Sequence, residues 1–443
     1  MGAKKVLILG AGLVARPMVR YLLERGFEVI VASRTVSRAE ALIDGHPAGR
    51  AVAFQVEQIE ALDPLLAEVD LAVSLLPAHR HVEVARRCLA LQRHLVTTSY
   101  VSPAMGDLGD QAAAAGLLFL NECGLDPGID HMSAMQVIDR VKADGGRIAG
   151  FTSWCGGLPA AEANDNPWHY KFSWAPRGVL VAATNPAAWL EDGQQRSIPA
   201  GQLFRNFRHV EVPGAGRYEA YPNRDSASYM PIYGIEGTRT MLRGTLRHLG
   251  HCARWECLVK LGLFDATTEL DFAGMTYADL LARQAPGEGE LVARVARALG
   301  QEPGSADLEA MRWLGLFDAT PIPLARGAAV DALADLMQRK MPFAPGERDL
   351  IVLKHEFLAE FPAKGIQEKI TATMVDYGIP GGDSAMARTV SLPAAIAVRM
   401  ILAGELSRTG VHRPILPEIY ALLLAELKTL AIEVREASET LPL

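Results

Sequence analysis

The chain has 443 residues, 49 % of them hydrophobic and 21 % charged, and a formal net charge of −7. That length exceeds one compact core and calls for two or three domains, while the acidic balance, with no long basic run, argues against nucleic acid as the main partner. Five cysteines without a Cys-x-x-Cys pair suggest neither a disulfide framework nor a zinc site, so a reducing compartment is expected.

The chain opens with Met1-Gly2, but Val6 stands where a myristoylation motif needs Ser or Thr. Four apolar residues after Lys4 and Lys5 are too few for a signal-peptide core. No uninterrupted apolar stretch reaches membrane-spanning length; residues 392–402 are broken by Arg399. These features lead to the expectation of a cytoplasmic protein without a membrane partner.

Residues 6–9 (Val-Leu-Ile-Leu) run into Gly10-Ala11-Gly12-Leu13-Val14-Ala15. The pattern reads as a buried strand, a Gly-x-Gly-x-x-Ala turn and a helix start. Gly10 permits the turn, Gly12 lets the backbone approach a pyrophosphate, and Ala15 keeps helix and strand close. The unpaired N–H groups of the helix N-terminus would take the ligand's negative charge. An amphipathic helix with Met18, Val19, Leu22 and Leu23 follows, then a second strand at 27–32. Further strands at 51–54, 71–75, 94–97 and 117–120 alternate with helical patterns, which predicts a doubly wound parallel sheet.

The end of the second strand selects the cofactor. An acid there would hold a ribose 2′-OH; this chain has Ser33-Arg34-Thr35, which suits a 2′-phosphate and predicts NADP(H). The fourth strand ends in Ser74-Leu75-Leu76-Pro77 and the fifth in Thr97-Thr98-Ser99-Tyr100, at the sheet edge where ligands bind. In Asn121-Glu122-Cys123-Gly124-Leu125-Asp126-Pro127-Gly128-Ile129-Asp130-His131, Asp126 before Pro127 reads as a helix N-cap, yet it follows the sixth strand at that same edge. Asp130 and His131 are adjacent rather than at metal-ligand spacing, so no metal is expected.

Beyond Gly146 the alternation stops. Residues 148–154 read as a strand leading into Cys155-Gly156-Gly157, where the thiol is either a reactive group or a small buried residue. Residues 166–177 (NPWHYKFSWAPR) form an aromatic, basic stretch. Asp192-Gly193 marks a hairpin. Arg224 lies in a polar Tyr-Pro-Asn-Arg-Asp-Ser loop. Arg239, Arg243 and Arg247, four apart, share one face of either a strand or a helix, the threonines favouring a strand, with a solvated face expected for at least one of them. Residues 263–345 read as short helices at 277–284, 290–299, 307–314 and 328–340. Strands return at 349–357 and 367–377, followed by a helix at 384–402, kinked or started at Pro393, and a long final helix at 418–435.

Together these motifs make the chain resemble the saccharopine reductases, the glutamate-forming saccharopine dehydrogenases. The resemblance rests on LILGAGLVARP (7–17), VTTSYVSPAM (96–105), NECGLDPGIDH (121–131), CGGLPA (155–160), NPWHYKFSWAPRGVL (166–180), AYPNRDS (220–226), RGTLRH (243–248) and SAMARTVSLPAAIA (384–397). The chain departs from it at Trp154, where fungal members are expected to carry Tyr, and along the 263–345 insertion.

The resemblance implies reversible reduction by NADPH of the imine between glutamate and aminoadipate semialdehyde. It places cofactor contacts on Gly10, Gly12, Leu13, Val14, Ser33, Arg34, Thr35, Leu76, Pro77, Ser99, Leu125, Asp126 and Pro127. Substrate contacts fall on Ser99, Tyr100, Asp126, Arg224, Thr245, Leu246 and Arg247, and the proton-transfer candidates are Asp126, Tyr100 and Cys155. It implies an α/β architecture: a Rossmann domain of 1–124 and 380–405, a mixed-sheet substrate and dimerisation domain of 125–258, 346–379 and 406–443, and a helical insertion of 259–345. A homodimer acting on a small molecule is expected. A polyamine-forming reductase of the carboxynorspermidine or homospermidine type, and a non-catalytic nucleotide-binding regulator, are the competing readings.

Overall fold

The computed structural model describes residues 3–442; Met1 and Gly2, where a myristoylation motif was considered, lie outside the described residues. By compactness the chain divides into two units, Met1–Arg147 with Ala359–Leu443, and Ile148–Leu358. The residues of the expected helical insertion, 259–345, fall within the second unit.

In the first unit, β1 (Lys5–Leu9), β2 (Glu28–Ser33), β3 (Gly49–Ala53), β4 (Leu71–Ser74), β5 (His94–Thr97) and β6 (Leu118–Leu120) form a parallel sheet in the order β6-β5-β4-β1-β2-β3. The strand order reverses between β1 and β4, where Leu9 pairs with Ser74, and this switch point is the ligand-binding edge of such sheets. Residues 6–9 are fully buried, as a strand covered on both faces requires. A seventh strand, Gly410–His412, adds parallel to β6. Three residues are too few to show a period, and the sequence pattern missed it.

The helix Arg16–Glu24 buries Met18, Val19, Leu22 and Leu23 and packs on the helix Ala385–Leu402. That second helix starts at Ala385 rather than at Pro393, because the Ser384 hydroxyl accepts from the Ala387 N–H. It is the one described helix long and apolar enough to cross a membrane, and 83 % of its apolar window is buried inside the unit. The final helix, Pro417–Thr429, is shorter than expected. The chain then forms a strand, Arg435–Pro442, antiparallel to Ile366–Tyr377. Its residues are mostly exposed and charged, which in sequence resembles the outer face of a helix.

The second unit is built on β7 (Arg147–Pro159), β8 (Ala187–Glu191), β9 (Gln194–Ile198), β10 (Arg208–Val212), β11 (Gly216–Pro222) and β12 (Thr240–Arg247). β10, β11 and β12 run antiparallel, β12 pairs parallel with β7, and the strand Asp349–Phe361 follows β7. Asp192 and Gly193 join β8 to β9 with φ of 51° and 77°, the left-handed pair that a two-residue hairpin favours. Gly156 lets β7 approach β12: a Cβ there would come within 2.7 Å of the Leu246 carbonyl. A Cβ at Gly244 would collide with Trp154, so the departure at that position fills the space above a glycine. The helices Tyr277–Gln284, Leu291–Leu299, Ala306–Leu314 and Ala329–Lys340 lie where the sequence predicts them.

Candidate active site

At the end of β1 the Gly10 N–H donates to Ala32 O (2.9 Å) with φ of 114°, and a Cβ there would meet the Leu75 carbonyl at 3.3 Å. A Cβ at Gly12 would have nothing within 4 Å, so this backbone is open to close approach. The helix that follows has no side-chain cap, which leaves its first N–H groups for a ligand. Leu13 is 62 % exposed above the turn, and Val14 is half-buried.

Ser33 closes β2, with its hydroxyl accepting from the Thr35 N–H (3.3 Å), and Arg34 and Thr35 are exposed. Residues 33–38 contain no acid, and Arg38, exposed one turn beyond Arg34, was not singled out in the sequence. An open glycine turn, an uncapped helix end and an exposed guanidinium among hydroxyls fit a dinucleotide bearing a 2′-phosphate. Leu76 and Pro77, half-buried and exposed, leave the sheet beyond β4.

The ends of β5 and β6 bring the next group together. The Tyr100 hydroxyl donates to Asp126 Oδ1 (2.9 Å), and both residues are half-buried. Asp126 is not the helix cap expected: the helix begins at Ile129 after Gly128, and the loop folds back through Gly124 N–H to Pro127 O (3.0 Å) and Ile129 N–H to Gly124 O (2.8 Å). Leu125 and Pro127 are buried beside it.

Beneath this loop lies fully buried Glu122. It accepts from the Val101 N–H (2.8 Å) and Arg413 Nε (2.7 Å), and its Oε2 lies 2.8 Å from His131 Nε2. Burial pushes its pKa up, but the His131, Arg413 and Val101 contacts outweigh that and hold it below the usual range. Asp130 accepts from the Gly128 N–H (2.6 Å), so acids framing the loop are engaged within it.

Ser99, also half-buried, is bonded through its hydroxyl to His81 Nε2 (2.8 Å), and His81 Nδ1 bonds to Ser74 Oγ (2.9 Å). The sequence did not single out His81. Its signal, a histidine just beyond Leu76-Pro77, is shared by His79, which is exposed.

In the second unit Arg247 ends β12 with a buried side chain. Its Nη1 donates to the Leu246 carbonyl (2.9 Å) and its guanidinium lies 5.1 Å from the Tyr170 ring centroid. Its Nε has no partner, and no carboxylate of the described residues pairs with it. Glu219, its neighbour across β11, instead accepts from the Gly250 and Cys252 N–H groups (2.7 and 2.8 Å). Burial disfavours the Arg247 charge, yet Tyr221, Tyr170, Cys252 and Cys155 hold its pKa above the ordinary value. The Tyr221 phenol is pushed up to about 12, chiefly by burial.

Cys155 is buried on β7 in register with Thr245. Of the three strand arginines, Arg239 is exposed, while Arg243 is buried 4.4 Å from the Tyr229 ring centroid and Arg247 is buried with it. Arg224 has φ of 54°, and its carbonyl accepts from the Ala188 N–H (2.8 Å), which ties an exposed arginine loop to β8. Tyr170 reaches Arg247 from the aromatic stretch, where position alone did not distinguish it.

Fold and nucleotide edge together define a Rossmann-type, dinucleotide-binding protein with a second unit built on a mixed sheet. The saccharopine dehydrogenase NADP binding domain matches residues 6–120, and the saccharopine dehydrogenase C-terminal domain matches residues 124–432. The chain is 36 % identical to the saccharopine dehydrogenase [NADP(+), L-glutamate-forming] of Schizosaccharomyces pombe, over 92 % of this chain and 93 % of that protein. It is 38 % identical to the protein of the same name from Saccharomyces cerevisiae, covering 96 % and 97 %. The mitochondrial alpha-aminoadipic semialdehyde synthase of Bos taurus is 38 % identical over 96 % of this chain, which spans 47 % of that longer protein. The solved apo saccharopine dehydrogenase (L-Glu forming) of Saccharomyces cerevisiae superposes with a TM-score of 0.87 at 35 % identity, covering 99 % of this chain and all of that one. The chain belongs to the saccharopine dehydrogenase family.

Proposed function

We propose that the protein is an NADP-dependent, glutamate-forming saccharopine dehydrogenase, interconverting saccharopine, NADP+ and water with L-glutamate, aminoadipate semialdehyde and NADPH. Its full-length relatives of that name support this reading. The observation that carries it is the buried Arg247 guanidinium with no carboxylate partner. Saccharopine bears three carboxylates, and a buried cation of fork geometry is stabilised by receiving one.

Gly10, Gly12, Leu13 and Val14 would hold the dinucleotide's pyrophosphate, with Ser33, Arg34 and Thr35 on the 2′-phosphate. Leu76, Pro77, Ser99, Leu125 and Pro127 complete the cofactor contacts. Bound NADP(H) supplies or accepts the hydride. Arg224 and Arg247 hold substrate carboxylates, with Thr245 and Leu246 beside them. Asp126, whose carboxylate accepts the Tyr100 hydroxyl, takes the proton from the secondary amine and releases it to solvent, then takes a proton from the water that adds at the imine carbon and returns it to the nitrogen that leaves as the glutamate amine. Buried Cys155 ranks behind this pair. A homodimer in the cytoplasm fits the cysteine usage and the family resemblance.

The test follows absorbance at the NADPH band with saccharopine and either NADP+ or NAD+. Saccharopine-dependent NADPH formation is expected, with NAD+ the poorer acceptor. Turnover with diamines but not saccharopine would favour a polyamine reductase, and binding of NADPH without any turnover would favour a regulator.

A further inference from the structure

Ser74 ends β4 and Ser99 lies just beyond β5, on neighbouring parallel strands. His81, the first residue of the helix His81–Ala90, spans them with one ring nitrogen on each hydroxyl. The ring is 4 % exposed and Ser74 is fully buried. Burial, with a smaller effect from His79, lowers the His81 pKa to about 4, so the ring is neutral and carries one N–H and one lone pair. Among the described residues the Ser74 hydroxyl has no other hydrogen-bond partner. Its proton therefore goes to His81 Nδ1, since leaving a buried donor unpaired is costly. The ring hydrogen is then on Nε2, which donates to Ser99 Oγ. Ser99 accepts from His81 and turns its own hydrogen away from it.

We infer that His81, fixed by Ser74 as the Nε2–H tautomer, is a positioning residue that makes Ser99 a hydrogen-bond donor toward an oxygen acceptor of the bound ligands, a substrate carboxylate or the nicotinamide carboxamide. The inference rests on Ser99 contacting those ligands and adds what sets the direction of its proton. Ser74 and His81 then act on binding through Ser99 alone.

The experiment is a double-mutant cycle on the full chain, read by NADPH Kd from fluorescence, by saccharopine KM and kcat, and by nitrogen NMR of the His81 ring without ligand. Ser99→Ala is expected to weaken one ligand roughly three- to tenfold; a change in NADPH Kd identifies the carboxamide, and a change in saccharopine KM identifies the carboxylate. Ser74→Ala should weaken the same ligand and add nothing in the Ser99→Ala background. His81→Gln, whose amide N–H can replace Nε2–H, should retain more affinity than His81→Leu. The wild-type ring should be the Nε2–H tautomer, and Ser74→Ala should mix the two. An Nδ1–H ring, or a Ser74→Ala effect that adds in full to Ser99→Ala, would overturn the inference while leaving Ser99 a ligand contact. If Ser99→Ala changes no ligand parameter, the reading of Ser99 and the inference fall together.

Discussion

Two buried charges, one in each unit, are treated in opposite ways. Glu122, under the Tyr100–Asp126 loop of the first unit, is met by a backbone N–H, a guanidinium and an imidazole. Arg247, at the end of β12 in the second unit, is met among the described residues by one carbonyl, phenols and thiols, and its Nε by none of them. A buried charge with all its partners inside the chain serves the fold, and removing one partner strands the others. A buried charge whose natural counterion is missing is completed by something that arrives. The buried Arg388, whose Nη1 donates to both carboxylate oxygens of Asp376 at 2.9 and 3.0 Å, shows how the same residue type looks when its partner belongs to the chain.

The largest effect that would break this contrast is on stability. Glu122→Gln should lower the unfolding free energy in urea by roughly 3–5 kcal/mol, the usual cost of removing one partner of a buried pair. Arg247→Met should cost clearly less than that, because among the described residues no carboxylate is left stranded by its removal. Similar losses for the two variants would erase the distinction.

pH dependence sharpens the first half of the comparison. The folded pKa of His81, about 4, lies below the unfolded value near 6.5, so the unfolded state binds more protons between these values. Stability is therefore lost as pH falls through that window and levels off below it. The depressed Glu122 adds a loss in the same direction, below the ordinary carboxylate range. Relative to wild type, His81→Gln should flatten the pH 6.5 to 4 segment by up to about 3 kcal/mol in denaturation series. A slope identical to wild type would show that His81 is not held neutral.

At the nucleotide edge, Arg34→Ala should raise the NADPH Kd roughly tenfold or more while leaving NADH nearly unchanged, as expected for loss of a charge-assisted pair to the 2′-phosphate. Equal losses with both cofactors would remove Arg34 from that role. Asp126→Asn should lower turnover and flatten one limb of the pH–rate profile. Because Asp126 caps no helix, its unfolding free energy should move by less than ~1 kcal/mol, the typical value of a cap. A cap-sized loss of stability with an unchanged pH profile would contradict the proton-transfer reading.

The parallel sheet was readable because its strands are buried apolar runs and its glycine turn has a steric signature at Gly10 and Gly12. The four helices of the second unit were readable from their period and punctuation. Gly410–His412 was not, since three residues carry no period. Arg435–Pro442 was missed because an exposed charged strand looks like a solvated helix end. Ser99, Tyr100 and Asp126 in the first unit, and Arg247 in the second, stood out through strand position and family motif. The partners that orient them did not, because what distinguishes His81 from His79, or Tyr170 from the aromatic residues around it, is which way each side chain faces. Of the two readings the sequence left open for Asp126, the cap falls away: Asp-Pro favours a helix start, but the Gly124–Gly128 backbone loop delays that start to Ile129.

The central claim is that Arg247 awaits a substrate carboxylate. The direct test is saccharopine kinetics of Arg247→Ala and Arg247→Lys, with NADP+ affinity measured in parallel. The saccharopine KM should rise roughly ten- to a hundredfold in Arg247→Ala and recover in part in Arg247→Lys, with the NADP+ Kd unchanged. A KM within about twofold of wild type in both variants would contradict it, because a charge-assisted pair contributes on the order of 1.5–3 kcal/mol.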